Sequence, residues 1–158
     1  MNTIRFWRPA AALAIGSASL LGAMAAHAIY NPPIHMANGI EYMSGGIGSD
    51  EAALMKTVSP RWPATFEFAV KDKSGGDFAA GISVTVRDSS GREVLKQVTA
   101  DGPYMVARLD PGRYEVEATL AGQTLKQEVE IHAGTGTRTV FEWPAGTDAG
   151  AHSASAHS

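Results

Sequence analysis

The chain of 158 residues contains no cysteine. Disulfide bonds are therefore excluded, and so is the attachment of lipid to an N-terminal cysteine. Small exported domains often rely on disulfides, so a chain without them must hold together through a buried apolar core. Residues 29–158 are enough for one such core and too few for two of comfortable size.

Positive charge is also scarce. Thirteen lysine and arginine residues stand against sixteen aspartate and glutamate residues, which gives a formal net charge of -3. Removing the first 28 residues takes away Arg5 and Arg8 but no acidic residue, so the charge becomes -5. Domains that bind nucleic acid present a basic face, and we therefore expect no nucleic-acid partner.

Long apolar runs are absent outside the N-terminus, where residues 10–25 are mostly apolar. Arg5 and Arg8 precede this run, and the small-x-small sequence Ala26-His27-Ala28 follows it. The order is typical of a secretory signal peptide, and the run is shorter than the roughly 20 residues of a membrane-spanning helix. We expect residues 1–28 to be cleaved, which leaves a periplasmic or secreted protein without a membrane span.

From Ala64 onward, short runs of alternating apolar and polar residues are separated by turn residues. Seven runs follow this pattern: 64–70, 82–87, 94–99, 104–109, 113–120, 125–131 and 137–143. The third run breaks the alternation, which indicates a sheet edge or a bulge. The pattern predicts an all-β fold, a seven-stranded antiparallel Greek-key β-sandwich with one short N-terminal helix.

The helix is predicted just ahead of the sandwich. Ser49 stands where an N-cap would, and Asp50 and Glu51 fall in the first turn, where carboxylates favour the helix dipole. We expect about two turns, too short to be stable without packing. Leu54 and Met55 are the expected docking residues, and the helix should cover one open end or edge of the sandwich.

These features divide the chain into four segments. The signal peptide spans 1–28, and a lead segment with a glycine-rich loop and the helix spans 29–63. The β-sandwich domain spans 64–144. Glycine, alanine, serine and histidine dominate 145–158, and a segment with so little to bury is predicted to be disordered.

Two consecutive motifs carry a family resemblance: Thr99-Ala100-Asp101-Gly102-Pro103-Tyr104, then the L-x-P-G-x-Y-x-V sequence that begins at Leu109. From Thr65 to Trp143 the chain resembles the carboxypeptidase regulatory-like or prealbumin-like (transthyretin-like) β-sandwich domains. The resemblance implies the fold and leaves the function open, because such domains serve as stalks, adhesion modules and accessory domains.

A second resemblance lies in the sequence from Tyr42 to Glu51. It is similar to a segment of small exported bacterial proteins in which G-G-[IV]-G-x-D-E precedes the same sandwich. This resemblance implies a periplasmic, free-standing domain.

Catalytic groupings are missing from the sequence. Of the histidines left after cleavage, only His132 lies inside the predicted sandwich, whereas His35 is in a proline-rich lead and His152 and His157 are in the tail. No G-x-S-x-G nucleophile elbow occurs. We therefore predict a protein that is not an enzyme and that holds no metal and no cofactor.

The glycine-rich segment is the one feature that the scaffold does not explain. Loops held by rigid sheets often carry binding function, and the candidate binding residues are Tyr42, Gly45, Gly46, Gly48, Asp50 and Glu51. An anion at the helix N-terminus is disfavoured by the two carboxylates, and the regular spacing of a calcium loop is absent. Tyr42 and Trp62 lie outside the alternation, and either would mark a binding surface if exposed.

The leading hypothesis is a non-catalytic periplasmic binding or accessory module whose partner is an envelope protein or a glycan. One alternative is a transthyretin-like hydrolase acting on a small ring or ester. Prealbumin-like hydroxyisourate hydrolases end in a Tyr-Arg-Gly-Ser signature, which the C-terminus here lacks. The other alternative is a structural envelope module in which an exposed edge strand pairs with a partner.

Overall fold

The computed structural model describes residues 31–72 and 77–147. The predicted signal peptide and residues 148–158 of the predicted disordered tail lie outside these ranges. Residues 145–147 form a turn, in which the Thr147 hydroxyl donates to the Pro144 carbonyl at 2.7 Å. Within the described ranges, no helix has the length and apolar character that a membrane crossing requires.

The described residues form strands, one α-helix and one short 3₁₀ turn. In chain order the elements are β1 (His35–Ala37), β2 (Ile40–Gly45), α1 (Ser49–Val58), the 3₁₀ turn (Ser59–Arg61), β3 (Ala64–Val70), β4 (Asp77–Phe78), β5 (Ile82–Asp88), β6 (Glu93–Ala100), β7 (Tyr104–Ala107), β8 (Gly112–Leu120), β9 (Gln123–Ile131) and β10 (Thr137–Trp143).

Two sheets pack face to face. The first sheet has the order β1-β2-β7-β3-β10, with β4 also paired to β3, and the second sheet has the order β6-β5-β8-β9. The main core lies between them. Its largest fully buried side chains include Trp143, Phe66, Phe68 and Phe141. The predicted all-β sandwich with one short helix is confirmed.

The strand count and one pairing direction differ from the prediction. The lead segment adds β1 and β2, which extend the first sheet beyond β7, and β4 adds a short pairing to β3. The sandwich is also not wholly antiparallel, because β10 runs parallel to β3 from Thr137 to Trp143. The chain reaches β10 from β9, which lies in the other sheet, and a crossing of this kind does not impose the antiparallel direction of a hairpin.

The irregular third run is a bulged edge strand, as predicted. The pairing of β6 with β5 shifts register on both sides of Val86, and Gln97 takes a positive φ of 47. The Gln97 amide donates to the Thr85 hydroxyl at 3.1 Å, which satisfies a donor that the bulge removes from the ladder. β6 is one edge of the second sheet.

Helix α1 begins one residue earlier than its predicted cap implies. Gly48, with φ of 85, is the N-cap, and Ser49 is the first helical residue. The helix covers the outer face of the first sheet and not an end or edge of the sandwich. There Met55 is fully buried in a second apolar cluster with Met43, Trp62, Tyr104 and Val106, whereas the other expected docking residue, Leu54, is only half-buried.

Candidate functional site

The first half of the glycine-rich segment is packed inside the fold. Gly45 and Gly46 are both buried. A Cβ on Gly46 would lie 2.5 Å from Cδ2 of Tyr104, and a Cβ on Gly45 would overlap the Glu51 carboxylate. The two glycines are therefore required by the close approach of their neighbours, and they offer no open surface to a ligand.

Glu51 is committed to the same packing. Its Oε1 accepts a hydrogen bond from the Gly46 amide at 2.8 Å. The carboxylate lies in the first turn of α1 and reaches back to the loop before the helix, which resembles one half of a capping box. Gly48 has no side chain that could cap the helix. Glu51 instead supplies a side-chain hydrogen bond near the helix start and links it to the segment that precedes it. This hydrogen bond gives Glu51 a structural role.

The glycine-rich segment also packs against the motif that carries the family resemblance. The Asp101 amide donates to the Ser44 hydroxyl at 3.0 Å. A Cβ on Gly102 would lie 2.5 Å from the carbonyl carbon of Gly45. The two motifs, which are separate in the sequence, thus form one packed unit that joins β2, α1 and the start of β7.

The second half of the segment is open. Ile47, Gly48, Ser49 and Asp50 are exposed, and Ile47 leaves 62% of its surface in solvent. The Asp50 carboxylate accepts a hydrogen bond from the adjacent Ser49 hydroxyl at 3.3 Å. We call these four residues the tip; the Gly48 carbonyl accepts a hydrogen bond from the Ala52 amide at 3.0 Å, and Ser49 and Asp50 are the first residues of α1.

Tyr42 is separate from the other candidate residues. It lies on β2, is half-buried against the main core, and stacks on the His35 ring with 5.3 Å between centroids. Trp62, the other aromatic outside the alternation, is buried, and the Arg108 guanidinium lies 4.5 Å from its ring centroid. Neither aromatic forms an exposed binding platform.

An exposed aromatic that was not predicted from the sequence lies next to Tyr104. Phe78, on the short strand β4, leaves 66% of its surface in solvent. Its ring centroid is 6.3 Å from that of Tyr104, the same ring that Gly46 approaches. Ile47 directly follows Gly46 in the chain, and we call Phe78 together with Ile47, Gly48 and Asp50 the Tyr104 surface. A large aromatic residue that follows a glycine pair was the feature of the sequence from which the exposure of Phe78 could have been predicted.

Titratable groups do not gather into a reaction centre in the described ranges. No group of three histidine, aspartate or glutamate residues there is placed to hold a metal ion. His132 is exposed, beside a groove of about 560 Å³ that also contains Arg61 and Arg108. The side chain of Arg108 is engaged by the Glu41 carboxylate at 2.7 Å.

The outer face of the second sheet carries an ion-pair network. The Glu117 carboxylate lies 2.8 Å from Arg87 and 2.5 Å from Lys126. Hydrogen bonding to Lys126, followed by Arg87, lowers the pKa of Glu117, and the same contacts raise the pKa of both cations. The charges of this network are paired with one another, as is typical of a solvated surface.

Comparisons with known proteins give no family and no curated relative. No protein-family model matches the chain, and no curated protein matches it. Among solved structures, the chain is similar to BcpA, the major pilin subunit of Bacillus cereus, with 18% identity and a TM-score of 0.36. The match covers 52% of this chain and 27% of that one.

Proposed function

We propose that the protein is a non-catalytic binding module of the periplasm that recognises an envelope protein through the Tyr104 surface. The observation that carries the proposal is two exposed apolar side chains: Phe78, whose ring centroid lies 6.3 Å from that of buried Tyr104, and Ile47, which follows the glycine that packs on the same ring. Apolar side chains held in one place on a soluble domain are typical of contact sites with other proteins.

The base of this surface supports recognition by a fixed shape. Gly46 contacts the Tyr104 ring, Glu51 holds the loop to α1, and Phe78 pairs with Ala69 through the backbone of β4. A partner that docks here meets a surface that is already ordered, which lowers the entropy cost of binding. The candidate residues thus have two roles: Gly45, Gly46 and Glu51 build the base, and Gly48 and Asp50 belong to the contact.

An extended apolar segment of a protein is the partner that fits this chemistry best. Ile47 supplies an aliphatic side chain that a sugar ring would not match, and aromatic and aliphatic anchors together are typical of the centre of protein interfaces. Asp50 at the rim would favour a partner with a lysine or arginine beside its apolar segment. The alternative partner is a glycan that stacks on Phe78 alone, and the test below distinguishes it from a protein.

The prealbumin-like assignment and the periplasmic address are part of the same proposal. The sandwich, the burial of Tyr104 and Gly102, and the resemblance of both motifs support a domain of that type. Its use as an accessory module needs no catalytic group, which agrees with titratable residues that are either paired in ion pairs or isolated.

The test is affinity capture from envelope extract with the mature chain, residues 29–158. The substitutions Ile47→Ser and Phe78→Ser, made together, should lower the recovery of a specific partner at least tenfold, because each removes an exposed anchor worth about 1 kcal/mol or more. The matched control is Met36→Ser, which removes another exposed apolar side chain of the first sheet, 65% in solvent; its ladder partner Glu41 lies four residues along β2 from Gly45, the partner of Tyr104. It should leave recovery unchanged.

Thermal unfolding of each variant separates binding from folding. Both variants should unfold within a few degrees of the parent protein, because none of the changed side chains is buried. Undiminished capture by the double variant would refute the proposal. Capture lost for Phe78→Ser but kept for Ile47→Ser, together with competition by a soluble glycan, would replace the protein partner with a sugar.

A further inference from the structure

Strand β1 has a free backbone edge. Among the strands of residues 31–72 and 77–147 it pairs only with β2, through His35 with Tyr42, Met36 with Glu41 and Ala37 with Ile40. The Glu41 carbonyl accepts a hydrogen bond from the Arg108 amide at 2.9 Å, so the backbone groups of Glu41 point away from β1. In an antiparallel ladder, two opposed residues direct their backbone groups alike, both inward or both outward. The backbone groups of Met36 therefore point outward to the free edge.

The side chains on this edge are apolar and uncharged. Ile34 and Met36 leave 60% and 65% of their surface in solvent, and strand periodicity places both on the outer face of the first sheet. No lysine, arginine, aspartate or glutamate occurs in residues 31–40. The neighbouring charges, Glu41 and Arg108, neutralise each other as an ion pair at 2.7 Å.

The long edge strands, β6, β9 and β10, carry protection that β1 lacks. Side chains bridge β9 and β10: Gln127 donates to the Val140 carbonyl at 2.7 Å, and Thr137 donates to the Glu130 carbonyl at 3.1 Å. β6 is bulged, with a positive φ at Gln97. Bulges, charges and covering side chains are the usual means by which proteins prevent an edge from pairing.

We propose that β1 is a self-association edge, on which a second copy of this chain pairs antiparallel about a two-fold axis at His35. This register places Ile34 opposite Met36 of the second copy, and Met36 opposite its Ile34. Because both residues direct their backbone groups outward, the register forms four hydrogen bonds. Each apolar side chain also meets an apolar side chain, and such cross-strand pairs stabilise a sheet.

A second copy suits this edge better than an unrelated strand. An isologous contact needs a surface that is complementary to itself, and a short uncharged edge with apolar residues on both sides of its centre meets that condition. Pro32 and Pro33 limit the pairing to a few residues, because proline has no amide hydrogen to donate. The contact is therefore small, and we infer a reversible dimer. The inference does not depend on the Tyr104 surface.

The first experiment is sedimentation equilibrium of the mature chain as its concentration is raised to about 1 mM, the range in which a small interface associates. A monomer–dimer equilibrium is expected, and Met36→Lys should weaken it at least tenfold by placing two charges on the edge. Val140→Lys, which adds the same charge to the protected β10 edge, should not. A monomer throughout, or a dimer that Met36→Lys leaves unchanged, overturns the proposal.

A second experiment reads the register directly and exploits the absence of cysteine. In the proposed pairing, position 35 of each copy forms a non-hydrogen-bonded pair with a Cα separation of about 4.5 Å, which a disulfide can bridge. His35→Cys should form a covalent dimer under mild oxidation. Ala37→Cys is the matched control, because two copies of position 37 lie about 13 Å apart. Equal crosslinking of both variants, or none of the first, contradicts the register.

Discussion

The two outer faces of the sandwich are covered in different ways. On the first sheet, α1 and Trp62 bury an apolar cluster around Met55, and every exposed large apolar side chain of the described residues lies on this sheet or in its adjoining loop. On the second sheet, the outward side chains form an ion-pair network around Arg87. A charged face is stable in water, whereas an apolar face that is only partly covered is typical of contact sites with other proteins, and the proposed binding function rests on this difference.

The largest effect on stability is expected where the glycine-rich segment packs against the residues that precede β7. Gly102→Ala would place a Cβ 2.5 Å from the carbonyl carbon of Gly45, and backbone cannot yield as a flexible side chain can. We expect a loss of about 3 kcal/mol in the free energy of unfolding. Urea denaturation measures it.

The control for that change is Gly48→Ala. Gly48 has φ 85 and ψ 160, a region that is essentially restricted to glycine, but open space where the Cβ would lie, so the expected cost is about 2 kcal/mol, from backbone strain alone. Equal losses for the two variants would mean that the contact between Gly102 and Gly45 does not determine the junction.

An intermediate effect is expected under the helix. Met55→Ala removes a fully buried side chain and should cost about 2 kcal/mol, the lower end of the range for core truncations, since a cluster at the surface can partly collapse. Leu54→Ala, the neighbouring change on the half-buried side of α1, should cost no more than about 1 kcal/mol. Chemical denaturation compares them, and a larger loss for Leu54→Ala would mean that α1 packs through a different face.

The smallest effect concerns the charged side of the molecule. Hydrogen bonding to Ser90 lowers the pKa of Asp88, and Lys126 lowers that of Glu117. A carboxylate whose pKa is lower in the folded state than in the unfolded state stabilises the fold at a pH above its unfolded-state pKa. This stability is lost as the pH falls through the lower, folded-state pKa. The melting temperature should therefore decline as the pH drops below about 4, with a shallower decline in Asp88→Asn and Glu117→Gln. An unchanged slope in both variants would show that the network contributes nothing.

Alternation in the sequence was sufficient for the sandwich itself. In β8, buried Tyr114, Val116 and Ala118 alternate with outward-facing residues as predicted. The β1–β2 hairpin was not predicted, although Asn38-Gly39 is the strongest short signal for such a turn. Both residues have positive φ, 49 and 80. A three-residue strand is too short to show a period, so only the turn could have identified it.

Sequence could not separate the structural glycines from the exposed one. Gly46 and Gly48 both have positive φ, and both suit a flexible loop or a ligand cradle. What distinguishes them is Tyr104, a residue distant in sequence that lies against Gly46 only after β2 and β7 have paired. The exposure of Phe78 could not be predicted for a similar reason, because it depends on the pairing of β4 with β3.

The most direct test of the claim that the first face is the contact face is photo-crosslinking in the bacterial envelope. A photoreactive phenylalanine at position 78 should form a specific covalent adduct with another protein. The same group at position 124, an exposed site on the second sheet, should form none. Adducts at position 124 with none at position 78 would contradict the account and would assign partner contact to the charged face.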